Sequence, residues 1–191
     1  MANDKIMKDP NLNTNALIEN GIYLFMEGVN KDSCRKAIEF ILMHNFQPAP
    51  TRLKHLQFMI SSPGGDLSAC FALIDIMKGS KIPIHTVGLG QICSCGILLF
   101  MTGEPGYRTL TPNTSILSHQ FSWGSVGKEH ELFASVKEFE LTKKRMIEHY
   151  KKCTGMDEKT IKEFLLPPED VWLDAKEAVK YGIADKVKKI Y

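Results

Sequence analysis

A serine stands between small residues where an apolar strand gives way to an apolar segment. The segment Gly90-Gln91-Ile92-Cys93-Ser94-Cys95-Gly96 continues as Ile-Leu-Leu-Phe-Met, which predicts a buried helix that begins near Ser94. A serine hydroxyl becomes a good nucleophile when a base takes its proton, and the resulting oxyanion needs fixed hydrogen-bond donors. The Cys95 amide would be one of the unpaired donors in the first turn of this helix. Ser94 is therefore a candidate nucleophile.

Other motifs around this serine fit less well. Position 92 is Ile, so the segment lacks the G-x-S-x-G pattern of α/β-hydrolases. Cys93 replaces the third glycine of a G-x-G-x-x-G pattern, which argues against a dinucleotide site. Cys93 and Cys95 have no second Cys/His pair at ligand spacing, so we expect no metal site. Either thiol remains an alternative nucleophile.

A base and a second oxyanion donor are also present in suitable places. His119 follows the apolar pair Ile116-Leu117 at a predicted strand end, and His85, inside another predicted strand, is the rival base. The pair Gly64-Gly65 can expose backbone amides on a tight turn, although such a turn can also merely join a strand to a helix. The remaining histidines lie in polar stretches and are expected to be solvated: His44, His55, His130 and His149.

Apolar patterns predict an α/β fold that positions these residues. The first two strands flank a helix capped by Asp32 or Ser33, which makes a β-α-β unit. The longest predicted helix, 129–153, would extend about 37 Å and has apolar residues on more than one side. It packs either in the core or against another subunit. Strands are predicted at 22–26, 56–60, 84–89, 115–118 and 183–187, and the other helices at 66–78, 93–101 and 175–180.

Composition limits the class of protein. The 191 residues suit one domain, 21–191, after a polar segment, 1–20, that we expect to be flexible. The net charge is +2, with 24% charged residues and no dense basic patch, so nucleic acid is not an expected partner. Neither a membrane span nor a signal peptide is expected, and five cysteines without framework spacing fit a reducing compartment. We therefore expect a cytoplasmic protein.

Five motifs together resemble the ClpP family, the proteolytic subunits of Clp ATP-dependent proteases. Their order and spacing agree with the family from about Gly21 to Val187. The motifs are Ser62-Pro63-Gly64-Gly65, Gly90-Gln91-x-x-Ser94-x-Gly96, His119-Gln120, Tyr150-x-x-x-Thr154-Gly155 and Glu177-Ala178-Val179-x-Tyr181-Gly182-x-x-Asp185.

This resemblance implies a fold, an activity and a set of site residues. The fold is an α/β spiral of β-α-β units, shared with crotonases, from which a long helix projects. The activity is that of a serine endopeptidase that hydrolyses peptide bonds of unfolded proteins and peptides. Carried over by position, Ser94 is the nucleophile, His119 the general base and Asp170 the carboxylate that orients it. The oxyanion donors are the amides of Gly65 and Cys95.

The resemblance also implies how such a chain assembles. The expected assembly is a homo-oligomer of heptameric-type rings stacked into a barrel, with the long helix at the interface. A Clp-type unfoldase ATPase is the expected partner. ATP would be used by that partner, so no cofactor is expected for this chain.

Several positions depart from the family pattern. Ser61 stands where Asn is common and Phe121 where Pro is common, so we expect altered substrate fit. Glu169 replaces an Arg that contacts the opposite ring, which predicts single rings or salt-sensitive double rings.

Two alternative functions remain open at this stage. The first is a non-catalytic ClpP-like ring subunit, and the second is a crotonase-type acyl-CoA enzyme that would use backbone amides without a triad. The presence of Ser94, His119 and Asp170 favours the peptidase over both.

Overall fold

The structure is a computed structural model that describes residues 16–190. A largely parallel sheet forms its centre. The strands are β1 (Ile22–Phe25), β2 (Leu56–Ser62), β3 (Ile84–Cys93), β4 (Arg108–Leu110), β5 (Ser115–Ser118), β6 (Val171–Asp174) and β7 (Lys186–Val187). Strands β1, β2, β3, β4 and β7 lie side by side in that order, and β5 joins β3 to β6. The predicted α/β class is confirmed.

Helices cover the sheet and bury its apolar residues. The helices are α1 (Lys31–Asn45), α2 (Leu67–Gly79), α3 (Cys95–Met101), α4 (Glu129–Thr154), α5 (Glu158–Phe164) and α6 (Ala175–Lys180), with a short 3₁₀ turn at Ala49–Thr51. Helix α3 is buried over its whole length, as expected for a helix that is apolar on every side.

The predicted β-α-β unit is present at the start of the described chain. Strands β1 and β2 are parallel, and α1 connects them. The cap differs from the prediction, because α1 is capped by Asn30 and neither Asp32 nor Ser33 takes that position. The Asn30 side chain accepts hydrogen bonds from the amides of Asp32 and Ser33 at 2.9 and 3.0 Å.

Strand β3 is four residues longer than the predicted strand 84–89 and leads directly to Ser94. Residues 86–88 pair with β4, whereas residues 91–93 pair with β5. Gly90 has φ of 58°, a conformation that glycine adopts without a Cβ penalty. Gly90 therefore allows β3 to change its partner from β4 to β5 without ending.

Some elements were not predicted. These are β4, α5 and β6, while β7 covers only the last two residues of the predicted strand 183–187. Strand β6 runs antiparallel to β5, with Ser118 opposite Val171. This antiparallel pair matters because it brings the chain before β6 next to the end of β5.

Helix α4 has two different halves. Its C-terminal half packs into the core through Met146, Ile147 and Tyr150. Its N-terminal half exposes apolar side chains, among them Phe133 with 69% of its surface accessible. The core-packing interpretation is therefore confirmed for the C-terminal half, whereas packing of the N-terminal half against another subunit stays a prediction.

The described chain begins with a short helical segment. Residues 16–19 are helical, and the predicted flexibility of 1–20 otherwise concerns residues 1–15, which lie outside the described part. Within residues 16–190, no helix has the length and apolar character needed to span a membrane.

Candidate active site

Ser94 has an unusual backbone conformation at the junction of β3 and α3. Its φ and ψ are 54° and −133°, and it is the one non-glycine residue with positive φ between residues 16 and 190. Such a conformation costs about 1–3 kcal/mol and persists only when the surroundings impose it. The Ser94 amide donates to the Leu117 carbonyl at 2.9 Å, which fixes the turn to β5. The side chain makes no capping hydrogen bond, so its hydroxyl is not used to start α3.

The turn at Gly64-Gly65 lies directly against this serine. A Cβ atom on Gly64 would lie 2.6 Å from Ser94 Cβ and 3.2 Å from the Cys95 nitrogen. The turn is held by Ser62, whose Oγ donates to the Glu27 carbonyl at 2.7 Å and accepts from the Gly64 amide at 3.2 Å. The glycine pair therefore does more than connect β2 to α2, because it permits close approach to Ser94.

The two predicted oxyanion donors are neighbours. Cys95 is the first residue of α3, where a backbone N–H has no acceptor within the helix. A hydrogen bond from Cys70 lowers the pKa of the Cys95 thiol, and the Gly65 amide contributes in the same direction. Gly65 belongs to the turn that contacts Ser94, and Cys95 follows Ser94 directly at the start of α3, so both residues lie next to the Ser94 turn.

His119 lies just beyond β5 and is anchored on both sides. Ser118 Oγ donates to the Leu165 carbonyl at 2.5 Å and lies 3.1 Å from the Tyr150 hydroxyl. Gln120 Nε2 donates to the Leu166 carbonyl at 3.0 Å. These contacts tie the histidine segment to the segment that leads into β6.

Ser94 and His119 line one cavity of about 510 Å³. The structure therefore brings the predicted nucleophile and base together, with Gly65 in the same wall. The other lining residues come from the start of α2, the loop after His119 and the middle of α4: Pro63, Asp66, Leu67, Ser68, Phe121, Ser122, Trp123, Glu138 and Thr142.

Asp170 does not line this cavity, but the sheet register relates it to His119. Ser118 pairs with Val171 and Leu117 with Trp172 in the antiparallel β5–β6 ladder. The ladder ends at this Ser118–Val171 pair, so His119 and Asp170 are the next residues beyond it on their two segments. Among residues 16–190, hydrogen bonds join neither Ser94 to His119 nor His119 to Asp170. Catalytic hydrogen bonds are often long without substrate and tighten in the substrate complex.

The rival residues lie in less suitable places. His85 is stacked between His55 and Tyr107, with ring centroids 4.2 and 4.0 Å away, at the opposite end of β3 from Ser94. Burial, His55 and Lys186 lower the pKa of His85 to about 4. Because His85 lies at the opposite end of β3 from Ser94, it cannot take the Ser94 proton.

The cysteine nucleophiles are also disfavoured, since neither thiol lines the cavity. Burial raises the pKa of the Cys93 thiol. Cys95 is 2% exposed and packs against Cys70, whose thiol donates to the Cys95 carbonyl at 3.3 Å. Within the described residues, no group of three His, Cys, Asp or Glu side chains is arranged to hold a metal ion.

Two histidines that we expected to be solvated are buried. His44 and His149 are 7% and 4% exposed, respectively. Helix α1 buries His44 against Phe40, and α4 buries His149 against the carbonyl of Leu98. Both follow the apolar face of their helix, which a count of nearby polar residues does not reveal.

Comparison with known proteins gives one consistent result. The Clp protease family model matches residues 8–190. The ATP-dependent Clp protease proteolytic subunit 2 of Treponema denticola is 31% identical over 161 residues, which cover 84% of this chain and 78% of that protein. The fold expected from the five motifs is confirmed by this match over nearly the whole chain. The chain therefore belongs to the Clp protease family.

Proposed function

We propose that this peptidase is a serine endopeptidase and the proteolytic subunit of a Clp protease, with Ser94 as its nucleophile. The observation that carries the proposal is the strained Ser94 turn, which shares a cavity with His119 and lies against Gly64-Gly65. Strain at a non-glycine residue persists where the surroundings require it, and it is common at catalytic sites.

The proposed reaction is acyl transfer through a covalent intermediate. His119 takes the Ser94 proton while Oγ bonds to the scissile carbonyl carbon, and the oxyanion accepts hydrogen bonds from the amides of Gly65 and Cys95. The intermediate collapses, the peptide C–N bond breaks, and His119 gives the proton to the leaving amine. Water, deprotonated by His119, then hydrolyses the acyl ester and restores Ser94.

Asp170 has the third role in this proposal. It accepts a hydrogen bond from one His119 ring nitrogen, so that the other nitrogen faces Ser94, and it stabilises the imidazolium. The β5–β6 register supports this assignment, as do the anchors of Ser118 and Gln120 on the carbonyls of Leu165 and Leu166. Asp170 is exposed in the isolated chain. In this proposal its hydrogen bond to His119 forms when the site tightens around a substrate.

The proposed assembly is a homo-oligomeric ring that works with a Clp-type ATPase. The exposed apolar residues on the N-terminal half of α4 support an interface there, because large exposed apolar patches mark association sites. They are Leu132, Phe133, Val136 and Leu141, with exposed fractions of 38%, 69%, 44% and 52%. Heptameric rings, their stacking into a barrel and a cytoplasmic location belong to this proposal. Any ATP would be consumed by the ATPase, and the proposed mechanism of this chain uses no cofactor.

Covalent labelling tests the proposed nucleophile. A fluorophosphonate probe should phosphonylate the wild-type protein, and peptide mapping should find the adduct on Ser94. The Ser94→Ala variant should keep its fold and lose the label, because only one hydroxyl is removed. A label on another residue, or full labelling of Ser94→Ala, would refute the assignment.

A thiol control addresses the remaining alternatives. Iodoacetamide should leave turnover of the wild type unaffected, since Cys93 and Cys95 lie outside the cavity. Turnover in Ser94→Ala that iodoacetamide abolishes would instead identify a cysteine nucleophile. An acyl-CoA enzyme or a non-catalytic subunit would give no Ser94 adduct at all.

A further inference from the structure

The cavity that contains Ser94 and His119 is acidic. Two carboxylates, Asp66 and Glu138, lie among its lining residues, and neither a lysine nor an arginine does. Two aromatic rings, Phe121 and Trp123, complete the wall on the side of the loop after His119. An aromatic surface beside carboxylates is the surroundings that a cationic side chain prefers.

Asp66 has a free oxygen next to the oxyanion turn. Its Oδ1 caps α2 by accepting from the amides of Ser68 and Ala69 at 2.7 and 3.1 Å. Both capping bonds use the same oxygen, so Oδ2 remains available to a ligand in the cavity. Since Asp66 follows Gly65 directly, a substrate whose carbonyl reaches the proposed oxyanion donors also lies close to this carboxylate.

Glu138 lines the same cavity from the middle of α4. Its Oε1 accepts from Thr142 Oγ1 at 2.6 Å and from Arg145 Nη2 at 3.0 Å. The ion pair with Arg145 is half exposed on both sides, with 57% and 51% of the side chains accessible, so it neutralises Glu138 only in part. Both hydrogen bonds use Oε1, so the other carboxylate oxygen of Glu138, Oε2, takes part in neither of them.

The neighbouring cavity has the opposite charge. It measures about 380 Å³, shares Phe121 with the Ser94 cavity, and is lined by Lys143 and Lys162 above apolar side chains that include Met146. Phe121 therefore lies between a negative and a positive compartment.

We infer that the Ser94 cavity selects substrate segments with a lysine or arginine side chain next to the reacting bond, through Asp66 and Glu138. This inference rests on the proposed function and adds the substrate class to it. A cationic side chain gains charge pairing with two carboxylates and contact with Trp123, whereas an acidic side chain is repelled. Exposed pairs of this kind each contribute up to about fivefold in affinity at low salt and are weakened by screening.

Binding can be measured without turnover by using Trp123 as a fluorescent reporter. The chain has two tryptophans, so Trp172→Phe leaves Trp123 as the sole emitter. In the Ser94→Ala, Trp172→Phe background, three capped hexapeptides that differ only in a central arginine, glutamine or glutamate are titrated. The arginine peptide should bind about fivefold more tightly than the glutamine peptide, and the glutamate peptide more weakly than either. The differences should shrink in 0.5 M salt.

Matched variants assign the selectivity to the two carboxylates. Asp66→Asn keeps a good helix cap, and Glu138→Gln keeps an acceptor for Thr142, so both should retain the fold while reducing the preference. Glu140→Gln removes one charge from the same helix outside this cavity and should leave the preference unchanged. The inference is overturned if the three peptides bind equally or undetectably. It is also overturned if the double variant Asp66→Asn, Glu138→Gln keeps the preference unchanged. Labelling of Ser94 by the fluorophosphonate probe is independent of these results, so a failure of the proposed function is recognised separately.

Discussion

At the scale of single residues, Ser94 depends on a glycine from another segment. Gly64 has φ of 85°, and its missing side chain leaves the room in which the strained Ser94 turn fits. The sequence singled out Ser94 and His119 as candidates from their strand and helix context, and the structure places both in the lining of one cavity. The sequence could not predict the strained conformation, because strain arises from contacts between segments about 30 residues apart. Asp170 came from the family resemblance alone, since nothing local distinguishes it from Glu169 or Asp174.

Replacement of Asp170 by asparagine tests its proposed role as the carboxylate that orients His119. Asparagine keeps the shape but offers an N–H to His119, which favours the wrong ring tautomer. The change lowers kcat by about 10⁴ in another Ser-His-Asp protease, so a loss of up to about 5 kcal/mol in transition-state stabilisation is expected here. Steady-state hydrolysis of a fluorogenic peptide measures it.

Two acidic neighbours of Asp170 provide controls. Asp174 caps α6 by accepting from the amides of Lys176 and Glu177, and asparagine is an equally good cap. Asp174→Asn and Glu169→Gln should therefore stay within a few-fold of wild type. Near wild-type kcat in Asp170→Asn, together with a crippled Asp174→Asn or Glu169→Gln, would show that the orienting carboxylate was misassigned.

Among the secondary-structure elements, strand β6, which pairs with β5 next to His119, is the hardest to predict from the sequence. Val171–Asp174 is short, follows two prolines, and has Trp172 52% exposed, so it lacks the apolar run of a buried strand. Its pairing with β5 decides its structure. The long helix, by contrast, was predicted to within one residue because its pattern extends over seven turns.

The last family motif has a structural explanation. Asp185 receives hydrogen bonds from Arg108 Nη2 at 2.6 Å and from Arg108 Nε at 3.1 Å. Burial raises the pKa of Asp185, but the Arg108 hydrogen bonds outweigh this and lower it overall. This pair joins the chain after α6 to β4, an element that the sequence did not predict. The motif therefore secures the far edge of the sheet, away from Ser94.

His149 makes the attachment of α4 sensitive to pH. Its Nδ1 lies 3.1 Å from Lys78 Nζ, so it accepts there and Nε2–H donates to the Leu98 carbonyl at 3.0 Å. Burial, followed by Lys78, lowers the pKa of His149 to about 4, below the value of about 6.5 in an unfolded chain. Unfolding therefore takes up a proton between these values. The contribution of the neutral His149 to the free energy of unfolding is therefore complete above pH 6.5, and it falls by about 3 kcal/mol as the pH drops to 4.

Urea unfolding at several pH values checks this expectation. His149→Gln can still donate to Leu98 and should lose less stability than wild type between pH 7 and 4.5. His130→Gln, at an exposed position on the same helix, should follow the wild-type curve. Parallel curves for wild type and His149→Gln would contradict the buried neutral histidine.

For the protein as a whole, the exposed N-terminal half of α4 is the proposed interface between subunits. Phe133→Glu should barely affect folding of the subunit, because the ring is 69% exposed, but it should dissociate the oligomer by placing a charge in the interface. Light scattering at micromolar concentration measures the mass. Phe46→Glu, at an 81% exposed phenylalanine after α1, should keep the assembly. A monomeric wild type, or an unchanged mass for Phe133→Glu, would exclude this interface.

The most direct test of the whole account is peptide hydrolysis by Ser94→Ala in protein of unchanged assembly. Wild type and variant are matched by light scattering, and both are assayed at pH 7.5 with the same fluorogenic peptide. Loss of the attacking hydroxyl should lower kcat by about 10⁶, the size of effect found when a catalytic serine is removed from another serine protease. Turnover by Ser94→Ala within tenfold of wild type would contradict the proposal that this family member is a serine peptidase acting through Ser94.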